Sequence, residues 1–132
     1  MNARTVTAIL PASKERAFEY LSNVENLPRW ATEFARELKV VDGRHKVVNG
    51  LGELFFRITA DERTGVIDMY AGPTVDQMAI FPARVVALPG DRSLFTFTMF
   101  QAPGAPYDLF DGQYWSLLGE MDNIRHRFGA AA

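Results

Sequence analysis

The last quarter of the chain carries a long repeat of large apolar side chains. They recur at steps of three and four residues, at Tyr107, Phe110, Tyr114, Leu117, Leu118, Met121, Ile124 and Phe128. Because an α-helix turns once in 3.6 residues, this spacing places them along one face and predicts a single amphipathic helix. Such a helix must bury its apolar face, so the preceding residues have to supply a matching surface.

Between Ala35 and Gln101 the apolar period changes to 2, and turn residues interrupt the chain at short intervals. This pattern is typical of short antiparallel strands. Asp42-Gly43 and Pro89-Gly90-Asp91 are two of the turns. Pro82 predicts a bulge or an edge position, because proline cannot donate to a neighbouring strand. The strands are expected at Leu38–Val41, His45–Val48, Glu53–Ala60, Val66–Ala71, Val75–Leu88 and Leu94–Gln101.

The first residues predict a strand followed by two short helices. Thr5–Leu10 alternates and ends at a proline, as a strand closed by a turn does. Ser13 stands where an N-cap is expected, so a helix should follow over Lys14–Ser22. Asn26–Phe34 is expected to form the second helix, with a proline in its first turn and its aromatic residues facing inward. The frayed end of the chain is expected at Ala130–Ala132.

Length and composition narrow the class of protein. A chain of 132 residues is expected to form one domain, over residues 1–132. There are 14 Lys and Arg against 16 Asp and Glu, and the net charge of −2 offers no basic field for nucleic acid. The apolar runs are too short to span a bilayer, so stable membrane insertion is not expected.

The chain also lacks several kinds of chemical machinery. It contains no cysteine, which excludes disulfides and thiolate chemistry. No phosphate-binding loop, nucleophile elbow or HExxH motif occurs. The N-terminus has no apolar segment of the signal-peptide kind, and a cytoplasmic location is the default expectation. No cofactor is expected.

The order of elements resembles the helix-grip fold of the START-like superfamily, in its bacterial polyketide cyclase/dehydrase and lipid-transport branch. The resemblance is carried by Thr-Val-Thr-Ala-Ile-Leu-Pro-Ala-Ser at 5–13, Ala-Phe-Glu-Tyr-Leu-Ser-Asn at 17–23, Glu-Asn-Leu-Pro-Arg-Trp at 25–30 and the C-terminal helix. It implies an α+β fold, in which a curved antiparallel sheet of about six or seven strands wraps around the long helix. Two short helices would follow the first strand.

The resemblance also implies a cavity for a hydrophobic ligand between the sheet and the last helix. The inward stripe of that helix would form one wall, alternating strand residues the other, and flexible methionines would make the wall adaptable. The candidate ligand-binding residues are Phe56, Tyr70, Met78, Phe97, Met99, Tyr114, Leu117, Leu118 and Met121. The alternative is that the same side chains interlock into a solid core.

Three functions remain open from the sequence. The leading one is binding of a small hydrophobic molecule, lipid-like or polyketide-like. The second is an enzyme of the cyclase or dehydratase kind that acts on such a molecule in the same cavity, with catalytic residues unidentified. The third is an interaction module with a filled core. An inward charge on a strand, among Arg57, Asp68 and Asp76, would favour the enzyme, although alternation predicts that these side chains face water.

Two further patterns lie on the C-terminal helix. Gly112, Ser116, Gly119 and Asn123 share the side opposite the apolar stripe, and glycine weakens a helix by about 1 kcal/mol relative to alanine. A solvated face or a homodimer contact would explain them. Asp122 and His126 are four residues apart, but a metal site needs a third ligand, and an ion pair at the end of the helix is the simpler explanation; no metal is expected.

Overall fold

A computed structural model describes residues 1–129, in which one antiparallel sheet packs against helices. The strands are β1 Ala3–Leu10, β2 Glu37–Val41, β3 Arg44–Asn49, β4 Gly52–Asp61, β5 Val66–Thr74, β6 Gln77–Phe81, β7 Ala83–Leu88 and β8 Arg92–Phe100. The α-helices are α1 Lys14–Leu21, α2 Leu27–Trp30 and α3 Tyr107–Arg127, with a 3-10 turn at Val24–Asn26. The expected frayed end at Ala130–Ala132 lies outside the described residues.

The strands pair in the order β1-β8-β7-β5-β4-β3-β2, and β6 also pairs with β5. With the long helix and the short helices after β1, this order confirms the α+β helix-grip fold. The described residues form an 8-stranded sheet, one strand more than the expected six or seven. Pro82 explains the difference: it divides the expected strand Val75–Leu88 into β6 and β7, since it has no N–H to donate. Its carbonyl still accepts the N–H of Thr98 at 2.9 Å.

Local sequence signals agree with the observed start of α1, but they overestimate the length of the second helix. The hydroxyl of Ser13 accepts the N–H of Arg16 at 3.2 Å, which confirms the N-cap of α1. The helix expected over Asn26–Phe34 ends at Trp30 instead. The reason is long-range: the N–H of Phe34 donates to the side chain of Glu120 on α3, and not to a helical carbonyl.

The core lies between the inner face of the sheet and the helices. Alternate residues of β5 and β8, such as Ile67, Met69, Phe95 and Phe97, are buried there. The stripe of α3 packs beside β1 and α2, with Phe110, Leu117, Met121 and Ile124 buried. Tyr107, expected in this stripe, is 50% exposed at the start of the helix.

Candidate functional site

An open groove of about 630 Å³ lies beside β4. Four segments line it: the turn after α1, the β2–β3 turn, the middle of β4 and the β5–β6 hairpin. The lining residues are Ser22, Asn23, Val24, Gly43, Arg44, His45, Phe55, Phe56, Arg57, Ile58, Ala60, Val75 and Met78. No residue of α3 belongs to it, so this groove is distinct from the expected chamber under that helix.

The groove exists because β4 is longer than its partner β3. The pairing of β3 with β4 stops at His45 and Phe56, whereas the pairing of β4 with β5 continues to Asp61 and Val66. The second half of β4 therefore has a free edge. Asp42 and Gly43, with φ of 52° and 75°, form the tight turn that ends the β2–β3 hairpin beside this edge, as the sequence predicts.

Alternation along β4 divides the groove between two faces of the sheet. Phe56 and Ile58 point to the inner face, and Phe56 is 4% exposed. Phe55 and Arg57 point to the outer face, where the guanidinium of Arg57 lies 4.4 Å from the ring centre of Tyr70. The groove thus combines an apolar floor with cationic groups.

The β5–β6 hairpin reaches the groove through a close backbone approach. The pairing shifts register between Ala71 and Thr74, and Gly72 lies against the backbone of Gln77 and Met78. A Cβ atom at Gly72 would overlap the carbonyl oxygen of Gln77 and lie 2.8 Å from the Cα of Met78. The missing side chain is therefore what allows Met78 to sit where it lines the groove.

The structure brings two of the nine candidate ligand-binding residues to this groove, Phe56 and Met78. The others lie elsewhere: Phe97, Met99, Leu117 and Met121 are in the core, and Tyr114 and Leu118 are half-buried beside it. Tyr70 needs a correction, because its position between Met69 and Ala71 turns it to the outer face. The nine residues therefore do not line one shared groove in the described part of the chain.

The two charges that lie on strands are placed as alternation predicts: Arg57 is exposed, and Asp68, which pairs with Thr59, is half-buried on the outer face. Asp76, also expected on a strand, lies in the turn between β5 and β6 and is exposed. None of the three enters the core.

The sequence reasoning missed Glu120, a carboxylate on the buried face of α3. The side chain is 5% exposed, and its Oε2 accepts the N–H groups of Glu33 and Phe34, each at 3.1 Å. Burial raises the pKa of Glu120 to about 7, although the two backbone donors favour the charged form and oppose the shift. A signal was present in the sequence, because Glu120 falls three residues after Leu117 and four before Ile124, within the apolar stripe.

Glu120 and its neighbour Asn123 fasten the loop that follows α2. The Nδ2 of Asn123 donates to the carbonyl of Trp30 at 3.0 Å and to the hydroxyl of Thr32 at 3.1 Å. Phe34, in the same loop, packs edge-on against Phe56 with ring centres 5.8 Å apart. The loop therefore links α3 to the floor of the groove.

Arg4, also missed, joins the start of β1 to the start of α3. Its Nη1 donates to Asp111 at 2.8 Å, and its Nη2 donates to the hydroxyl of Tyr107 at 2.6 Å. The guanidinium lies 4.4 Å from the ring centre of Tyr114. The ring of Tyr114, expected to meet a ligand, is thus covered by an arginine on one side.

The glycine-bearing side of α3 is exposed. Gly112, Ser116 and Gly119 face solvent, and a Cβ added at either glycine would meet nothing within 4 Å. Trp115, between the glycines in sequence, is 64% exposed.

Neither a metal cluster nor a spanning helix is found in residues 1–129. No group of three or more His, Cys, Asp or Glu side chains there is arranged to hold a metal ion. Asp122 instead accepts a hydrogen bond from Arg125. No helix of this part of the chain is long and apolar enough to cross a membrane.

No protein-family model matches the chain, and no curated protein matches it. Solved structures do match. The Zhui aromatase/cyclase from Streptomyces is 14% identical, with 98% of this chain and 99% of that chain covered and a TM-score of 0.72. A START superfamily protein from Mycobacterium smegmatis is 14% identical, with 96% of each chain covered and a TM-score of 0.67. The Aha1 dimer from Colwellia psychrerythraea is 14% identical, with 95% of this chain and 97% of that chain covered and a TM-score of 0.64. These likenesses show that the chain has the START-like helix-grip fold.

Proposed function

We propose that this START-like helix-grip protein binds a small hydrophobic molecule, lipid-like or polyketide-like, in the groove beside β4. The observation that carries the proposal is the lining of the groove, which contains the apolar residues Phe55, Phe56, Ile58, Val75 and Met78 together with polar groups. A volume near 630 Å³ falls in the range of about 300 to 1,000 Å³ that small-molecule sites occupy. The fold, shared with an aromatase/cyclase and a START superfamily protein, supports the same class of ligand.

The groove is a better candidate than the space under α3. Phe97 and Met121 are 8% and 0% exposed, which supports close packing of the side chains under the helix. A ligand there would have to displace buried apolar side chains. Burial of each such side chain stabilises the folded protein by about 1.5 to 3 kcal/mol. The groove needs no such displacement.

Val75→Glu is expected to weaken uptake of an environment-sensitive apolar dye by about tenfold, because it places a charge on the apolar surface of the groove. Fluorescence titration of the native protein measures this. Val41→Glu is the matched control, since Val41 and Val75 are both 38% exposed and only Val75 lines the groove. Equal loss in both variants, or no saturable uptake by the unmodified protein, would contradict the proposal and favour an interaction module with a filled core.

A cyclase or dehydratase reaction in the same groove is the second candidate, because the imidazole of His45 lines it. Histidine is the side chain best suited to move a proton near neutral pH. A polyketide-like ligand recovered without one molecule of water, or as an isomer of the same mass with a different chromatographic retention time, would favour the enzyme. Recovery of the ligand unchanged would favour binding alone.

We also propose a homodimer contact through the side of α3 that carries Gly112, Ser116 and Gly119. The exposed Trp115 beside these small residues supports it, as aromatic side chains are enriched in interfaces. Gly119→Leu is expected to reduce the mass measured by light scattering from dimer to monomer, with an unchanged circular dichroism spectrum. A monomeric unmodified protein, or an unchanged dimer in the variant, would end this proposal.

A further inference from the structure

The lining of the groove contains cationic side chains and no carboxylate. Arg44, His45 and Arg57 are its ionisable residues. Asp42 and Asp76 are close in sequence to the lining, and Asp68 lies on the same outer face as Arg57, but none of the three lines the groove. This local excess of positive groups contrasts with the net charge of −2 of the chain.

The two arginines lie on neighbouring strands, just beyond the end of the β3–β4 pairing. His45 pairs with Phe56, so Arg44 and Arg57 occupy the next positions beyond the last pair. Alternation turns both to the outer face, opposite to Phe56. Cations on neighbouring strand ends repel each other, and an anion bound by both would offset that repulsion.

Within residues 1–129, no carboxylate lies within 4.0 Å of either guanidinium: the ion pairs there are those of Arg4, Arg36, Lys39 and Arg125. Arg57 is oriented by the ring of Tyr70, which leaves its N–H edge available to an acceptor. Arg44 is exposed. In the described part of the chain, two neighbouring strands therefore each carry an arginine that has no carboxylate within ion-pair distance.

We infer that the ligand of this groove is an anionic amphiphile, such as a fatty acid, whose acidic group binds Arg44 and Arg57. This inference rests on the proposed function of the groove. The apolar part of the ligand would lie over Phe55, Met78 and Val75, which line the groove with Arg57. Planar guanidinium groups bind carboxylates through paired charge-assisted hydrogen bonds, so the arginines select the acid over a neutral molecule of the same length.

Dodecanoate and dodecanol test this inference, because they share an alkyl chain and differ in the head group. Binding is measured at neutral pH by displacement of the apolar dye, below the concentration at which dodecanoate forms micelles. Dodecanoate is expected to bind about tenfold more tightly, the effect of one charge-assisted hydrogen bond of modest strength. Added salt should weaken the binding of dodecanoate and leave that of dodecanol unchanged.

The double variant Arg44→Gln/Arg57→Gln is expected to bind dodecanoate no more tightly than dodecanol. Arg92→Gln is the matched control, because Arg92 is exposed and lies outside the groove, and it should keep the preference for the acid. Equal affinities of the unmodified protein for acid and alcohol would overturn the anionic ligand and leave the hydrophobic site intact. Failure of both molecules to displace the dye would overturn the proposed function itself. A preference that persists in the double variant would place the acidic group elsewhere.

Discussion

Gly72→Ala is expected to lower the free energy of unfolding by about 3 kcal/mol, at the upper end of the effect of overpacking. The added Cβ would overlap the carbonyl oxygen of Gln77, and backbone cannot move aside as a flexible side chain can. The β5–β6 hairpin would have to shift, and Val75 and Met78 would shift with it. The variant should therefore also lose affinity for an apolar ligand of the groove. Denaturant unfolding and dye titration measure the two effects.

Gly119→Ala is the matched control for this substitution. A Cβ there meets nothing within 4 Å, and the residue lies inside α3, where alanine is the better helix former. This variant should gain up to about 1 kcal/mol and bind the dye as before. A Gly72→Ala variant as stable as the unmodified protein would show that the hairpin is not held by this close approach.

Glu120→Gln is expected to remove a pH dependence of stability worth about 3 kcal/mol. Burial raises the pKa of Glu120 from the ordinary 4.5 to about 7, so the folded state holds its proton more tightly than the unfolded chain does. The contribution to stability is complete below pH 4.5 and is lost as the pH rises towards 7. The amide oxygen of glutamine can still accept the N–H groups of Glu33 and Phe34, but it has no proton to lose in this range.

Denaturant unfolding at pH 5 and pH 8 checks this expectation. The decrease in the free energy of unfolding between the two pH values should be smaller in Glu120→Gln than in the unmodified protein. Glu19→Gln is the control, because Glu19 is an exposed carboxylate on α1. The free energy of unfolding of this variant should change with pH as that of the unmodified protein does. The same decrease in all three proteins would show that Glu120 keeps an ordinary pKa in the folded state.

The candidate site was predictable only in part. Phe56 and Met78 were among the predicted ligand-binding residues and do line the groove. Arg44 and His45 had no signal as site residues, because their role depends on where the pairing of β3 with β4 ends. Tyr70 was placed on the wrong face although Asp68, two residues earlier on the same strand, was expected to face water; alternation puts both side chains on the outer face.

The sequence by itself determined the elements whose signals are local. The helix over Tyr107–Arg127, the cap at Ser13 and the turn at Asp42-Gly43 each follow from periodicity or backbone chemistry within a few residues. Only the tertiary structure decided the contact of Glu120 with the loop near Phe34, the early end of the second helix and the groove at the free edge of β4. The physical reason is that Glu120 and Phe34 are 86 residues apart in the chain. The free energy of such a contact depends on which surfaces pack together in the folded chain. A local repeat of apolar residues carries no information about which distant segment will pack against it.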